Sequence, residues 1–94
     1  MSGTKKRPTG RPRPGHPPKP LRAFVLIQTL PGRVAAIVGA LKRIEAVRQV
    51  DPVTGPYDIV ARLELEDLKE ISPVVAGTIG GLKGVTRTTT LLCV

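Results

Sequence analysis

The chain has 94 residues and a formal net charge of +8, but the charge is unevenly placed. Residues 1–20 hold six basic residues, six of the ten prolines and no acid, whereas residues 21–94 carry nine basic and seven acidic residues, a net of +2. One cysteine and one histidine exclude an intrachain disulfide and a structural zinc, and no apolar run reaches the roughly 18 residues of a membrane-spanning helix.

Residues 1–20 read as a disordered tail. Proline removes amide donors and fixes φ, and Met1 is the only apolar side chain apart from proline, so burial cannot offset the entropy of ordering. No apolar stretch with a small-residue cleavage site follows the basic start, which argues against a signal peptide and for a reducing, cytoplasmic setting. Within the tail, Lys6, Arg7, Pro8, Gly10, Arg11, Pro12 and Arg13 resemble the AT-hook. In that motif a thin Gly-Arg-Pro strip lies in an A·T-rich minor groove, whose negative potential draws arginine. Thr9 stands where the motif usually has a second arginine. Three readings stay open for the tail: a solubilising extension, a non-specific nucleic-acid contact through Lys6, Arg7, Gly10, Arg11, Pro12 and Arg13, or true A·T recognition.

Residues 21–94 form the folded unit. Residues 22–30 (RAFVLIQTL) are rich in β-branched and aromatic side chains and predict a strand, ended by Pro31-Gly32. Both its faces are apolar: Ala23, Val25 and Ile27 on one, Phe24 and Leu26 on the other. Such a strand is covered on both faces. Val34, Ile37, Val38, Leu41 and Ile44 then follow helical spacing. Residues 46–53 predict a second strand, closed by a Pro/Gly turn. Residues 57–66 alternate, with Tyr57, Ile59, Ala61, Leu63 and Leu65 on one face and Asp58, Arg62, Glu64 and Glu66 on the other. Asp67 with Glu70 signals a helix start, and Leu68, Ile71, Val75, Ile79 and Leu82 supply a stripe. Pro73 implies either a kink or a true start at Ser72. Residues 85–94 predict the last strand.

The order β-α-β-β-α-β, with right-handed crossovers, predicts an α+β ferredoxin-like sandwich: a four-stranded antiparallel sheet with two helices on one face. Phe24 and Leu26 then lie on the uncovered face. A unit of about 74 residues buries only about 60% of its unfolded surface. Both points predict an oligomer, at least a homodimer, formed through that face.

The turn Thr54-Gly55-Pro56-Tyr57-Asp58 and the ending Gly84-Val85-Thr86-Arg87-Thr88-Thr89-Thr90 resemble the effector-binding (RAM) domain of the Lrp/AsnC family over residues 22–94. Phe24-Val25-Leu26-Ile27 followed by Pro31-Gly32 is similar to its stand-alone members. The resemblance implies an amino acid or related metabolite bound in clefts between dimers of a ring. It implies effector contacts at Thr54, Gly55, Tyr57, Asp58, Thr88 and Thr90. Turn amides suit a carboxylate, Asp an ammonium, and threonine hydroxyls further hydrogen bonds. Full-length members begin with a helix-turn-helix domain, which twenty Pro-rich residues cannot form. Contact with DNA would therefore come from the tail or from a full-length partner regulator.

The bland alternatives are specific too. Asp58 can simply fasten its turn, and the threonine row is good strand sequence. Arg62, Glu64 and Glu66 fit an ion network better than acid/base machinery. Cys93 reads as a buried strand residue. With His16 the only histidine and outside the fold, no nucleophile–base set can be assembled, so an enzyme is not expected, nor a cofactor or metal. The expectation is a stand-alone ligand-binding domain that modulates transcription. Its competitor is a small architectural DNA-binding protein that multiplies basic tails by oligomerising.

Overall fold

The computed structural model describes residues 20–94, so the tail and its AT-hook-like residues lie outside the described residues. Four strands and two main helical segments follow the expected order: β1 (Leu21–Thr29), α1 (Val34–Leu41), β2 (Val47–Pro52), β3 (Ile59–Leu65), α2 (Pro73–Ile79) and β4 (Val85–Leu92). The sheet is antiparallel with strand order β2-β3-β1-β4, and both central strands pair along their length. This is the ferredoxin-like sandwich, with the helices on one face.

Alternation decides which side chains those helices cover. Ala23, Val25 and Ile27 of β1, with Ile59, Ala61, Leu63 and Leu65 of β3, are buried. They meet Ile37 and Leu41 of α1 and Val75 and Ile79 of α2 in one core, mostly in a single packed cluster. Val34, Val38 and Ile44 complete the expected stripe of the first helix, although the helix stops at Leu41 and Ile44 packs from the following turn. The opposite face holds Phe24, 38% exposed, with Leu26 and Val60 half-buried and Leu91 exposed.

The second helical region departs from a plain helix. Asp67 caps a short 3₁₀ turn, Leu68–Glu70, its carboxylate accepting from the Lys69 amide at 3.0 Å. The helical turns run on without a break through Ile71 and Ser72, and at Pro73 they widen into α2, so the helical segment begins before Ser72 and Pro73 lies inside it. α2 is wide, with π geometry; its end is closed by the Gly80 amide donating to the Val75 carbonyl at 2.7 Å. Gly77, Gly80 and Gly81 weaken the ordinary α ladder here. Cys93 lies just past β4 and is half-buried rather than buried.

Loops at one end of the sheet lock together at Gly84. Its φ of +99° is a conformation that a side chain resists, and a Cβ would lie 2.8 Å from Arg33 Cγ. Leu30 donates to the Gly84 carbonyl at 2.8 Å, and the Arg33 guanidinium donates to the Lys83 carbonyl at 3.2 Å. Gly84→Ala is therefore expected to lower stability by about 1–2 kcal/mol, from backbone strain plus displaced Arg33. Calorimetric unfolding checks this, and an unchanged Tm would contradict the packing at this position.

Candidate functional site

The turn between β2 and β3 is built by three side-chain contacts. Asp58 Oδ2 accepts from the Thr29 amide at 2.8 Å and from its hydroxyl at 3.3 Å. Gln28 Nε2 donates to the Pro56 carbonyl at 2.8 Å. The Tyr57 hydroxyl shares a 2.9 Å hydrogen bond with the hydroxyl of Thr89. Backbone bonds close the base: Val53 donates to the Asp58 carbonyl at 2.9 Å, and Asp58 donates to the Ile27 carbonyl at 2.8 Å.

Thr54 and Gly55 form the exposed tip. Gly55 has φ +146°, which favours glycine, and nothing lies within 4 Å of where a Cβ would stand. Among the described residues, the amides of Thr54, Gly55 and Tyr57 donate no intramolecular hydrogen bond. An exposed turn with unengaged amides next to a carboxylate can receive the carboxylate and ammonium of one small zwitterion.

Register separates the expected site residues. Thr88 and Thr90 pair with Ile27 and Val25, so they stand on the helix-covered face, at its edge. Thr89 pairs with Leu26 and stands on the open face, and it is Thr89 that the turn reaches. Thr54, Gly55, Tyr57 and Asp58 thus come together, while Thr88 and Thr90 are not joined to them by any hydrogen bond among the described residues. Tyr57 also leaves the alternation expected for it. β3 begins only at Ile59, and the bend before it turns the Tyr57 hydroxyl to the open face instead of the core. Sequence reasoning misses Thr29, Gln28 and Thr89. A polar pair at the end of an apolar strand is the one available signal for Gln28 and Thr29; nothing in the sequence gives the register that selects Thr89.

In a single copy the turn is an open surface. Described clefts lie elsewhere: about 370 Å³ among Leu21, Arg22 and Cys93, and about 350 Å³ among Lys42, Arg48 and Val50. The carboxylates expected to form an ion network do so in part. Glu64 bridges Arg62 at 2.9 Å and Arg48 at 3.6 Å, while Glu66 has no ion pair among the described residues. Such exposed pairs contribute little, about 0–1 kcal/mol each. No helix is long and apolar enough to cross a membrane among the described residues, and no group of His, Cys, Asp and Glu there could hold a metal ion.

The Lrp/AsnC ligand binding domain matches residues 22–94. The chain belongs to the Lrp/AsnC family. A curated relative, the HTH-type transcriptional regulator FL11 of Pyrococcus abyssi, is 30% identical over 70 residues, covering 74% of this chain and 46% of that protein. The chain therefore spans about half the length of that regulator. Among solved structures, TTHA0845 from Thermus thermophilus is similar at 44% identity and TM-score 0.76, over 79% of this chain and 92% of that one. Two further Lrp/AsnC-like structures share the fold: Escherichia coli AsnC (17% identity, TM-score 0.74, 79% of this chain and 50% of that one) and the Neisseria meningitidis regulator NMB0573 in complex with L-Met (18%, 0.70, 79% and 49%). Residues 22–94 are thus an Lrp/AsnC ligand-binding domain.

Proposed function

We propose that residues 21–94 bind an amino acid or a closely related metabolite at the 53–58 turn, as an oligomer, and modulate transcription without catalysing a reaction. The observation that carries this is that, among the described residues, the amides of Thr54, Gly55 and Tyr57 donate no hydrogen bond, in the same turn as the Asp58 carboxylate. The L-Met complex of the neisserial regulator supports the amino-acid class. Because the turn lies open in one copy, a neighbouring subunit would close the cleft. A cytoplasmic setting and pairing with full-length regulators fit the same role. A panel of the twenty amino acids screened by thermal shift tests it: at least one is expected to raise the Tm of the oligomer. No shift from any, with the protein folded and oligomeric, would count against amino-acid sensing.

A second role rests on the +6 charge of residues 1–20. The oligomer would multiply these tails on DNA, with binding that weakens steeply as salt rises. Deleting residues 1–20 is expected to abolish DNA binding measured by fluorescence anisotropy. Unchanged affinity after deletion would rule this role out.

A further inference from the structure

The charges of this chain are segregated by sign. Residues 1–20 carry six cations and no acid, and the seven acids all lie in the folded unit. Four of those seven, Glu45, Glu64, Glu66 and Glu70, line one cleft of about 280 Å³ together with Ala46 and Arg48. The fold builds it at the end of the sheet where β3 stops. The Glu64 amide donates to the Ala46 carbonyl at 2.9 Å, which holds β3 against the segment leading into β2. The Asp67 cap sets the 3₁₀ turn that carries Glu70.

The cleft is under-compensated. Arg48 and Arg62 both engage Glu64, while Glu45, Glu66 and Glu70 form no ion pair among the described residues. Four glutamates against Arg48 leave a formal −3 in one small volume. The register then decides what lies beside it. Leu21 pairs with Leu65 and Arg22 with Glu64, so the chain before Leu21 leaves the sheet alongside Glu66. Lys19 stands two residues before Leu21, and Arg11 and Arg13 stand further upstream. Those two arginines are separated from Pro20 by a contour of roughly 20–30 Å at about 3.1 Å per residue, enough chain to turn back onto the cleft. Guanidinium groups pair with carboxylates in two-point contacts.

We propose that the acidic cleft is a dock for the basic tail of this chain, with Arg11, Arg13 and Lys19 set against Glu45, Glu66 and Glu70. The tail charges held there are withheld from other polyanions. The acidic end of the sheet thus acts as an internal competitor of the tail, and salt weakens the dock by screening it.

A ¹H–¹⁵N correlation spectrum of the full chain, compared with the triple variant Arg11→Gln, Arg13→Gln, Lys19→Gln, tests the dock. The substitutions lie outside the core, so the fold is retained. The amides of Ala46, Glu64, Glu66 and Glu70 are expected to shift between the two proteins, and those of Thr54 and Gly55, at the other end of the sheet, to stay in place. Added sodium chloride should move the parent toward the variant. Identical positions for the cleft amides in parent and variant would overturn the proposal. So would magnesium chloride shifting those amides while the tail substitutions do not, which would assign the cleft to a cation. The competition rests on the DNA role proposed for the tail and has its own readout. Glu66→Gln with Glu70→Gln is expected to tighten binding to an A·T-rich duplex about threefold, the size of one or two exposed ion pairs. Parent-like DNA affinity in that variant would overturn the competition. Absence of DNA binding by every protein would refute the DNA role alone, and the spectra would still decide the dock.

Discussion

Phe24→Asp is expected to give a folded monomer in sedimentation and light scattering, with dimer affinity reduced more than a hundredfold, or about 3 kcal/mol. The residue lies on the sheet face opposite the core and is 38% exposed in a single copy. The substitution therefore leaves the cluster around Val25, Ile27, Leu63 and Ile79 untouched. The added carboxylate would lie in an apolar surface that cannot solvate it once a second copy covers that face. The circular dichroism spectrum should stay that of a mixed α/β domain, while the Tm should fall and lose its dependence on protein concentration. A dimer of unchanged affinity would place the contact elsewhere.

Asp58→Ala is expected to be the most damaging change at the turn. It removes the acceptor of two hydrogen bonds from Thr29, one to a backbone amide at 2.8 Å. Bonds to a charged acceptor contribute about 1.5–3 kcal/mol, so a loss of about 2–3 kcal/mol in unfolding free energy is expected. Thr29 would be left with a half-buried amide lacking its partner. The turn would detach from the end of β1, and amino-acid binding would be lost with it. Asp58→Asn separates the two roles. An amide oxygen can still accept from Thr29, so much of the stability should return, whereas an ammonium ligand would still lose its counter-charge. Isothermal titration beside denaturant unfolding of both variants makes the comparison. If Asp58→Asn binds effector as the parent does, the carboxylate serves only the turn.

Much of this architecture is legible in periodicity. Ala23, Val25 and Ile27 alternate with Phe24 and Leu26, and Ile59, Ala61, Leu63 and Leu65 alternate with polar neighbours. These patterns identify both central strands and the buried face of each. Pro73 marks the point where the helical run changes geometry, because proline has no amide to donate to the preceding turn. The π geometry that follows leaves no such mark: it arises where glycines weaken the α ladder, and many glycine-containing helices stay regular. The site is legible as a segment but not as a constellation. Thr54 to Asp58 are adjacent in sequence, so their clustering is local. Which threonine of β4 they meet depends on how β4 pairs with β1. A slip of one residue would exchange Thr89 for Thr88 or Thr90. Alternation extended through residue 57 puts Tyr57 on the core face. The bend at Asp58, held by its bonds to Thr29 and Ile27, interrupts that alternation.

The most direct test of small-molecule sensing at the turn is a ¹H–¹⁵N correlation spectrum of the full chain, recorded with and without the amino acid that most raises the Tm. The largest shifts are expected on the amides of Thr54, Gly55, Tyr57 and Asp58, and Asp58→Ala should abolish them. Saturable binding whose largest shifts lie away from residues 53–58, with that turn unmoved, would contradict it.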